Sequence, residues 1–425
     1  MAPSRRAGAS LLPRRSALRY LLLALASAPS LLTLAGCVIL GGCGSVVETS
    51  WSPDAGAIAY TAGGELRVYD PATKQSKVLD TGPDDALSPA WSPDGKTIAF
   101  YYITYGKEAT VALQAIDLDS GRVRTLAPDV WPLPRTVDPT QVQKGQAPDQ
   151  ALLEAQQEAS LGVMFAATIA WSPDSARLAS VAASPSGGRV LLVNCASGDS
   201  KPIIEEKDGI ITLAWAPDGK RLAYVRGTGP PIQPATRTAD KPAAPPGGQP
   251  EQEQSLLPGF EGPSSLWLYD FDSGARSLVC GFPPNAFVPG TRLEWSADST
   301  RIGCIVADPH SSGRAIGCIV DARAGSAIRE ILRGMTPASA WAPGLRGIAF
   351  LEEREQGQVV LVYRGLTPPT RKVLGALTFP SQEVPAESSD RTGQYSLPDF
   401  CGDGRKLALR VGEDEGLKIV VYDLP

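Results

Sequence analysis

The chain has 425 residues, 43% of them hydrophobic and 20% charged, which suits a globular protein of two or three domains or one large repeat domain. Residues 1–36 hold five arginines and no acid, so the formal net charge of −5 becomes −10 once those five are set aside. A body that acidic lacks the basic face that phosphate binding needs, and nucleic acid is excluded as the expected partner. A single histidine, His310, excludes multi-histidine metal sites and argues against Ser-His-Asp and Cys-His nucleophile systems.

Residues 1–36 read as an export signal. Arg14, Arg15 and Arg19 precede an apolar run from Tyr20 to Ala35 that is interrupted by Pro29 and closes in small residues. A charged start followed by a short apolar run is the pattern of a cleaved leader, not of a retained membrane span. The run ends Leu34-Ala35-Gly36-Cys37, which resembles a bacterial lipobox. That resemblance implies a covalent diacylglycerol at Cys37, a membrane tether over 37–46, and no other cofactor. Arg14-Arg15 also resembles a twin-arginine signal, leaving that route and the general one both open. Leu40-Gly41-Gly42-Cys43 is a weaker second lipobox.

Export permits disulfides among Cys43, Cys195, Cys280, Cys304, Cys318 and Cys401. Ile302-Gly-Cys304-Ile-Val and Ile316-Gly-Cys318-Ile-Val read as the two strands of one hairpin. Symmetric pairing would set Cys304 opposite Cys318, as a disulfide or as two buried thiols.

A repeat dominates residues 47–425. Trp51-Ser-Pro-Asp54, Trp91-Ser-Pro-Asp94, Trp171-Ser-Pro-Asp174, Trp215-Ala-Pro-Asp218 and Trp295-Ser-Ala-Asp298 each lead into a short apolar strand. Trp341-Ala-Pro-Gly344 and Phe400-Cys-Gly-Asp403 are degenerate copies. Six of the eight tryptophans occupy this one position. A second turn follows in five of the copies, as in Asp117-Leu-Asp-Ser-Gly121 and Asp270-Phe-Asp-Ser-Gly274, and Asp70-Pro-Ala-Thr-Lys74 keeps its start without the glycine. Proline presets the backbone of such a turn and glycine relieves its crowding. Strands such as Leu66-Arg-Val-Tyr-Asp70 and Leu266-Trp-Leu-Tyr-Asp270 supply the β signal.

Each copy therefore predicts strand, turn, strand, loop, strand, turn, strand. Four-stranded units of about 40 residues, repeated, make a β-propeller. The motif positions fall 40, 80, 44, 80, 46 and 59 residues apart, so two units carry insertions, at 131–165 and 227–262. The expectation is an all-β chain folded as a single propeller of seven blades, with six or eight as alternatives. The last copy ends at Tyr422-Asp-Leu-Pro425 without an outer strand. Either blade seven has three strands, or residues just after Cys37 complete it.

These residues resemble the TolB-like β-propeller family, a WD-like repeat marked by a Trp-Ser-Pro-Asp-Gly-Lys turn followed by Ile-Ala-Phe. The resemblance covers 47–425 outside the insertions and implies fold far more than function. The repeat type occurs in TolB, in gating domains of prolyl peptidases and in some polysaccharide lyases. Neither the extra α/β domain of TolB nor a hydrolase domain has room here, so a bare propeller is expected.

The motif residues read as structure. The tryptophans and Phe400 should pack between blades, and Asp54, Asp94, Asp174, Asp218, Asp298 and Asp403 should accept backbone hydrogen bonds inside their own turns. Both insertions, residues 376–396 and the Ala307–Arg314 loop fall on one face, opposite the tight turns. Long loops on a rigid scaffold carry binding function, so Trp131, Leu133, Met164, Phe165 and His310 are the candidate binding residues. A helical patch over 149–158 belongs to the same segment, whereas the proline-rich 227–262 has the composition of a passive insertion. No catalytic or metal-ligating residue is assigned.

The function expected is a non-catalytic scaffold in the bacterial cell envelope, extracytoplasmic, monomeric and held to the cell membrane or an outer membrane by Cys37. It would bind an envelope protein, peptide or glycan. The alternatives are a glycan-active lyase or hydrolase using carboxylates of the loop face, and an accessory gating subunit for a separate peptidase.

Overall fold

The computed structural model describes residues 49–104, 110–132, 168–184, 187–227, 263–284, 286, 292–311, 313–354, 358–377, 397–413 and 416–424. Within them lie seven sheets, each a meander that runs outward from the centre. Blade one is β1 (Thr49–Trp51), β2 (Ile58–Ala62), β3 (Glu65–Asp70) and β4 (Gln75–Val78). Blade two is β5 (Asp85–Trp91), β6 (Thr97–Thr104), β7 (Thr110–Asp117) and β8 (Val123–Pro132). Blade three is β9 (Ile169–Trp171), β10 (Arg177–Ser184), β11 (Gly187–Asn194) and β12 (Ser200–Glu206). Blade four is β13 (Gly209–Trp215), β14 (Arg221–Gly227), β15 (Pro263–Asp270) and β16 (Arg276–Pro284). Blade five is β17 (Glu294–Trp295), β18 (Arg301–Ala307), β19 (Ala315–Asp321) and β20 (Arg329–Met335). Blade six is β21 (Ser339–Trp341), β22 (Gly347–Glu353), β23 (Val359–Leu366) and β24 (Pro369–Leu377). Blade seven has three strands among the described residues, β25 (Asp399–Phe400), β26 (Lys406–Glu413) and β27 (Gly416–Asp423).

The chain is thus an all-β, seven-bladed propeller, and every motif aromatic ends the innermost strand of its blade. No described residue is helical. The sequence reading needs one boundary correction. Trp131 and Pro132 pair with Val111 and Thr110 in the ladder of β7 and β8, so the connection to blade three begins after residue 132.

Apolar clusters sit between blades because each sheet buries both faces against its neighbours. Ile98 and Phe100 of blade two pack with Ala59 and Leu66 of blade one. Leu113 and Tyr101 pack with Leu178 and Val190 of blade three. Between blades seven and one the cluster is small, with Trp51, Ile58, Cys401 and Ala408 as its buried members.

The two faces of the ring differ. One carries the turns between first and second strands and between third and fourth strands, all of them short. The other carries every connection between second and third strands and every crossing to the next blade. This second face is the loop face, and every internal break between described residues falls in the chain at one of its connections.

Candidate functional site

The tight-turn face is held by a repeated set of hydrogen bonds. Ser52 Oγ donates to Asp54 Oδ1 at 2.6 Å, the Gly56 N–H donates to the same oxygen, and the Ala57 N–H donates to Ser52 Oγ. Ser92–Asp94, Ser172–Asp174 and Ser296–Asp298 repeat the side-chain bond at 2.6 Å. In blade seven Cys401 Sγ takes the serine's place and donates to Asp403 at 2.9 Å. These bonds hold the carboxyls of Asp54 and Asp174 below the usual range, and that of Asp298 at about 2. The residue after the aspartate takes a left-handed φ, +76° at Gly95 and +59° at Ser175. Where serine stands there, its hydroxyl is used. Ser175 Oγ accepts the Asp94 N–H of blade two, and Ser299 Oγ accepts the Asp218 N–H of blade four, both at 3.0 Å.

Four of the six motif tryptophans staple neighbouring blades through their indole N–H groups, whereas those of Trp91 and Trp215 are buried with no hydrogen-bond partner among the described residues. Trp51 donates to the Asp399 carbonyl, Trp171 to that of Ala90 and Trp295 to that of Ala214, at 3.0–3.1 Å. Each acceptor is the residue just before the motif aromatic of the preceding blade. Trp341 instead donates to the Cys304 carbonyl. Trp215 stacks on Phe271 with ring centroids 4.6 Å apart, under the Arg177 guanidinium.

Inside the ring is a channel cavity of about 320 Å³ lined by parts of blades one to five, among them Ser50, Trp91, Trp171, Thr212, Arg292 and Glu294. The residues preceding the seven motif aromatics are Ser50, Ala90, Ala170, Ala214, Glu294, Ala340 and Asp399. Five are small, as seven strands converging on one axis require, and two are acids. From the blade five side Arg292 reaches past blade six. It donates to Asp399 Oδ1 of blade seven and to the Thr49 carbonyl of blade one, both at 3.0 Å. Thr49 Oγ1 donates to the other Asp399 oxygen at 3.1 Å.

Asp399 is 7% exposed, and burial raises its pKa although Arg292 and Thr49 pull the other way. Glu294 keeps some surface toward the lumen yet sits deep in the ring. Burial pushes its pKa up to about 7, against the Gly344 N–H it accepts and the nearby Arg292. The sequence reading missed Arg292, Glu294 and Asp399. The signal for two of them was present, as acids among small residues at one repeat position.

The residues expected on the loop face separate. Trp131 is 3% exposed and belongs to the core shared with blade three, so its ring is not available as a contact surface. Leu133, Met164 and Phe165 lie outside the described residues, as do Cys37, Cys43 and the patch over 149–158. His310 is exposed on the loop between β18 and β19. That loop is anchored by buried Asp308, which accepts the His310 backbone N–H at 3.0 Å and the Arg333 guanidinium at 2.9 Å. Cys304 and Cys318 are direct cross-strand partners, as the spacing predicts, and both are buried free thiols. No group of three His, Cys, Asp or Glu side chains among the described residues is placed to hold a metal ion. No helix among them is long and apolar enough to cross a membrane.

No protein-family model matches the sequence, and no curated protein matches it. Solved structures resemble the fold. An oligogalacturonate lyase in complex with manganese is 13% identical over 90% of both chains, with a TM-score of 0.53. A prolyl endopeptidase is 14% identical over 96% of this chain and 54% of that one, with a TM-score of 0.50. TolB from Acinetobacter baumannii is 16% identical over 76% of this chain, with a TM-score of 0.41, and this chain spans 62% of its length. At such identities the likeness to the lyase and the endopeptidase is one of fold alone.

Proposed function

We propose that the chain is an envelope-exposed binding scaffold, lipid-anchored at Cys37, which engages a protein, peptide or glycan through its loop face. The asymmetry of the two faces carries this reading. The tight-turn face spends its polar groups on its own turns and on links between blades. The long segments 133–167, 228–262 and 378–396 each join strand ends that meet at the loop face. A rigid ring that concentrates long connections on one side presents a composite surface, which suits recognition.

Affinity capture from envelope extract tests the proposal, with the full chain beside a variant whose residues 133–167 are replaced by a short Gly-Ser link. The variant must keep its β-sheet circular dichroism. Partners held by the first and lost by the second support the reading. The same partners on both would remove the 133–167 segment from the binding surface.

A second reading, a glycan-active enzyme, draws support from Glu294. A carboxyl pushed up to about 7 beside a cavity can exchange protons near neutral pH. Cleavage of acidic oligosaccharides that Glu294→Gln abolishes would favour it over the scaffold.

A further inference from the structure

Blade six departs from the repeat at its tight turns. Each of the other six blades carries an aspartate in the turn between its first and second strands, from Asp54 in blade one to Asp403 in blade seven. Blade six has Gly344 there. At the end of the third strand the other blades have an aspartate or Asn194. Asp117, Asp270 and Asp321 each pair in register with the residue six past the motif tryptophan. In blade six that register pairs Gly365 with Gly347. Neither 341–350 nor 363–375 holds an acid.

Cations stand there instead. Arg346 lies in the first turn, and Arg364, Arg371 and Lys372 flank the second, all four exposed. Arg364 and Arg371 are direct cross-strand partners, so two guanidinium groups share one face of the sheet. Like charges at such a pair repel. The counterparts of Arg364 in this row, Ile116, Val193 and Val320, are buried and apolar, so the repeat itself does not call for a cation. Arg371 meets Glu352 at 2.8 Å, and Arg346 donates to the Asp403 carbonyl at 2.9 Å. Arg364 and Lys372 pair with no carboxylate among the described residues. Arg323 of blade five and Arg405 of blade seven, each 3.3–3.9 Å from an aspartate of its own turn and largely exposed, extend the basic surface on either side.

A formal net charge of −5 hides this cluster, because net charge sums the whole chain. At one blade end two carboxylates are lost and four cations stand exposed, a local reversal of sign. The form of the surface points to its partner. The turns of this face are short, so exposed cations on either side of them stand out from a blunt blade end and do not line a cleft. Cations spread across such a face suit a plane of phosphates. An anionic bilayer attracts Lys and Arg that come within about a Debye length, roughly 10 Å at 0.1 M salt.

We infer that the tight-turn end of blade six is a docking surface for the anionic head groups of a phospholipid bilayer. It brings this sector of the ring nearest the membrane and turns the loop face away. The docking stands on the charges of blade six alone, whereas its use in presenting a recognition surface rests on the scaffold reading.

Vesicle binding by the full chain tests the docking. Cys37→Ser and Cys43→Ser remove any acyl contribution, and a fluorophore at Thr370→Cys reports the blade six turn to a quencher fixed in the lipid. Binding to vesicles containing phosphatidylglycerol should exceed binding to phosphatidylcholine alone by roughly tenfold or more. The variant Arg364→Gln, Arg371→Gln, Lys372→Gln should lose about that factor. Lys74→Gln, Lys96→Gln, Lys220→Gln removes as much charge from exposed turns of the same face in blades one, two and four, and should keep it. The arginines of residues 1–36 are common to every variant and drop out of the comparison. Equal binding to the two vesicles, or equal loss in the two variants, would overturn the inference. So would a probe at Thr370→Cys quenched no more than one at His310→Cys. Should the first variant lose its β-sheet circular dichroism, Arg364→Gln with Lys372→Gln, which breaks no ion pair, replaces it.

Discussion

Serine, aspartate and tryptophan do most of the positional work in each repeat, and their roles divide by where the polar atom points. Asp54, Asp94, Asp174, Asp298 and Asp403 face their own turns, so their charge is satisfied locally and their pKa values fall. Glu294 faces a deep lumen instead, and its pKa rises. The two classes give opposite pH signatures. For Asp298, lowered from an ordinary 3.8 to about 2, the contribution is complete above 3.8 and is lost as pH falls toward 2. For Glu294, raised from 4.5 to about 7, the folded chain keeps a proton that the unfolded chain has already released, so stability falls as pH rises between those values. Thermal melts followed by circular dichroism should therefore show wild-type Tm declining from about pH 5 to about pH 8. Glu294→Gln should flatten that decline and leave the acid limb, where Asp298 acts, in place. Parallel curves for the two proteins would mean that Glu294 ionises as an ordinary exposed carboxyl.

At the level of blades, the seam between seven and one is built differently from the others. Its buried apolar members are Trp51, Ile58, Cys401 and Ala408, so polar groups carry more of the closure. Asp399 is the node, since its carboxylate accepts Arg292 and Thr49 while its carbonyl accepts Trp51. Asp399→Ala should destabilise by about 1–2 kcal/mol in urea unfolding, less than a fully buried pair because Arg292 is half exposed. Asp399→Asn, which keeps the Thr49 bond, should lose less. Equal losses would mean that the charge on Asp399, not its shape, closes the seam. The blades themselves were legible in the sequence because the repeat is local. Each turn is specified within a few residues, and the motif aromatic marks one position per blade. The Arg292 clamp was not legible, since it joins residues separated in sequence by 107 and 243 positions and obeys no period. Trp131 was misread for a related reason. Outside the repeat register it looked like the start of an insertion, whereas a register shift in β8 turns it into the core.

For the whole ring, the decisive variable is which face a membrane would cover. A loop face pressed against lipid could not reach a partner in the envelope, and a tight-turn face has little surface left for recognition. The proposed recognition surface requires the loop face to point away from the bilayer, with the tight turns toward it. Lys96 and His310 report the two faces, both exposed and one on each. The five described cysteines are buried, so a single introduced thiol can be labelled selectively once Cys43 is replaced by serine. On vesicles holding the anchored protein and a quencher fixed in the lipid, a fluorophore at Lys96→Cys should be quenched more than one at His310→Cys. The reverse order would place the loop face against the bilayer and undo the proposed recognition surface along with the orientation. Equal, weak quenching at both sites would show a ring held clear of the lipid on an extended tether, and would leave neither face defined by the membrane.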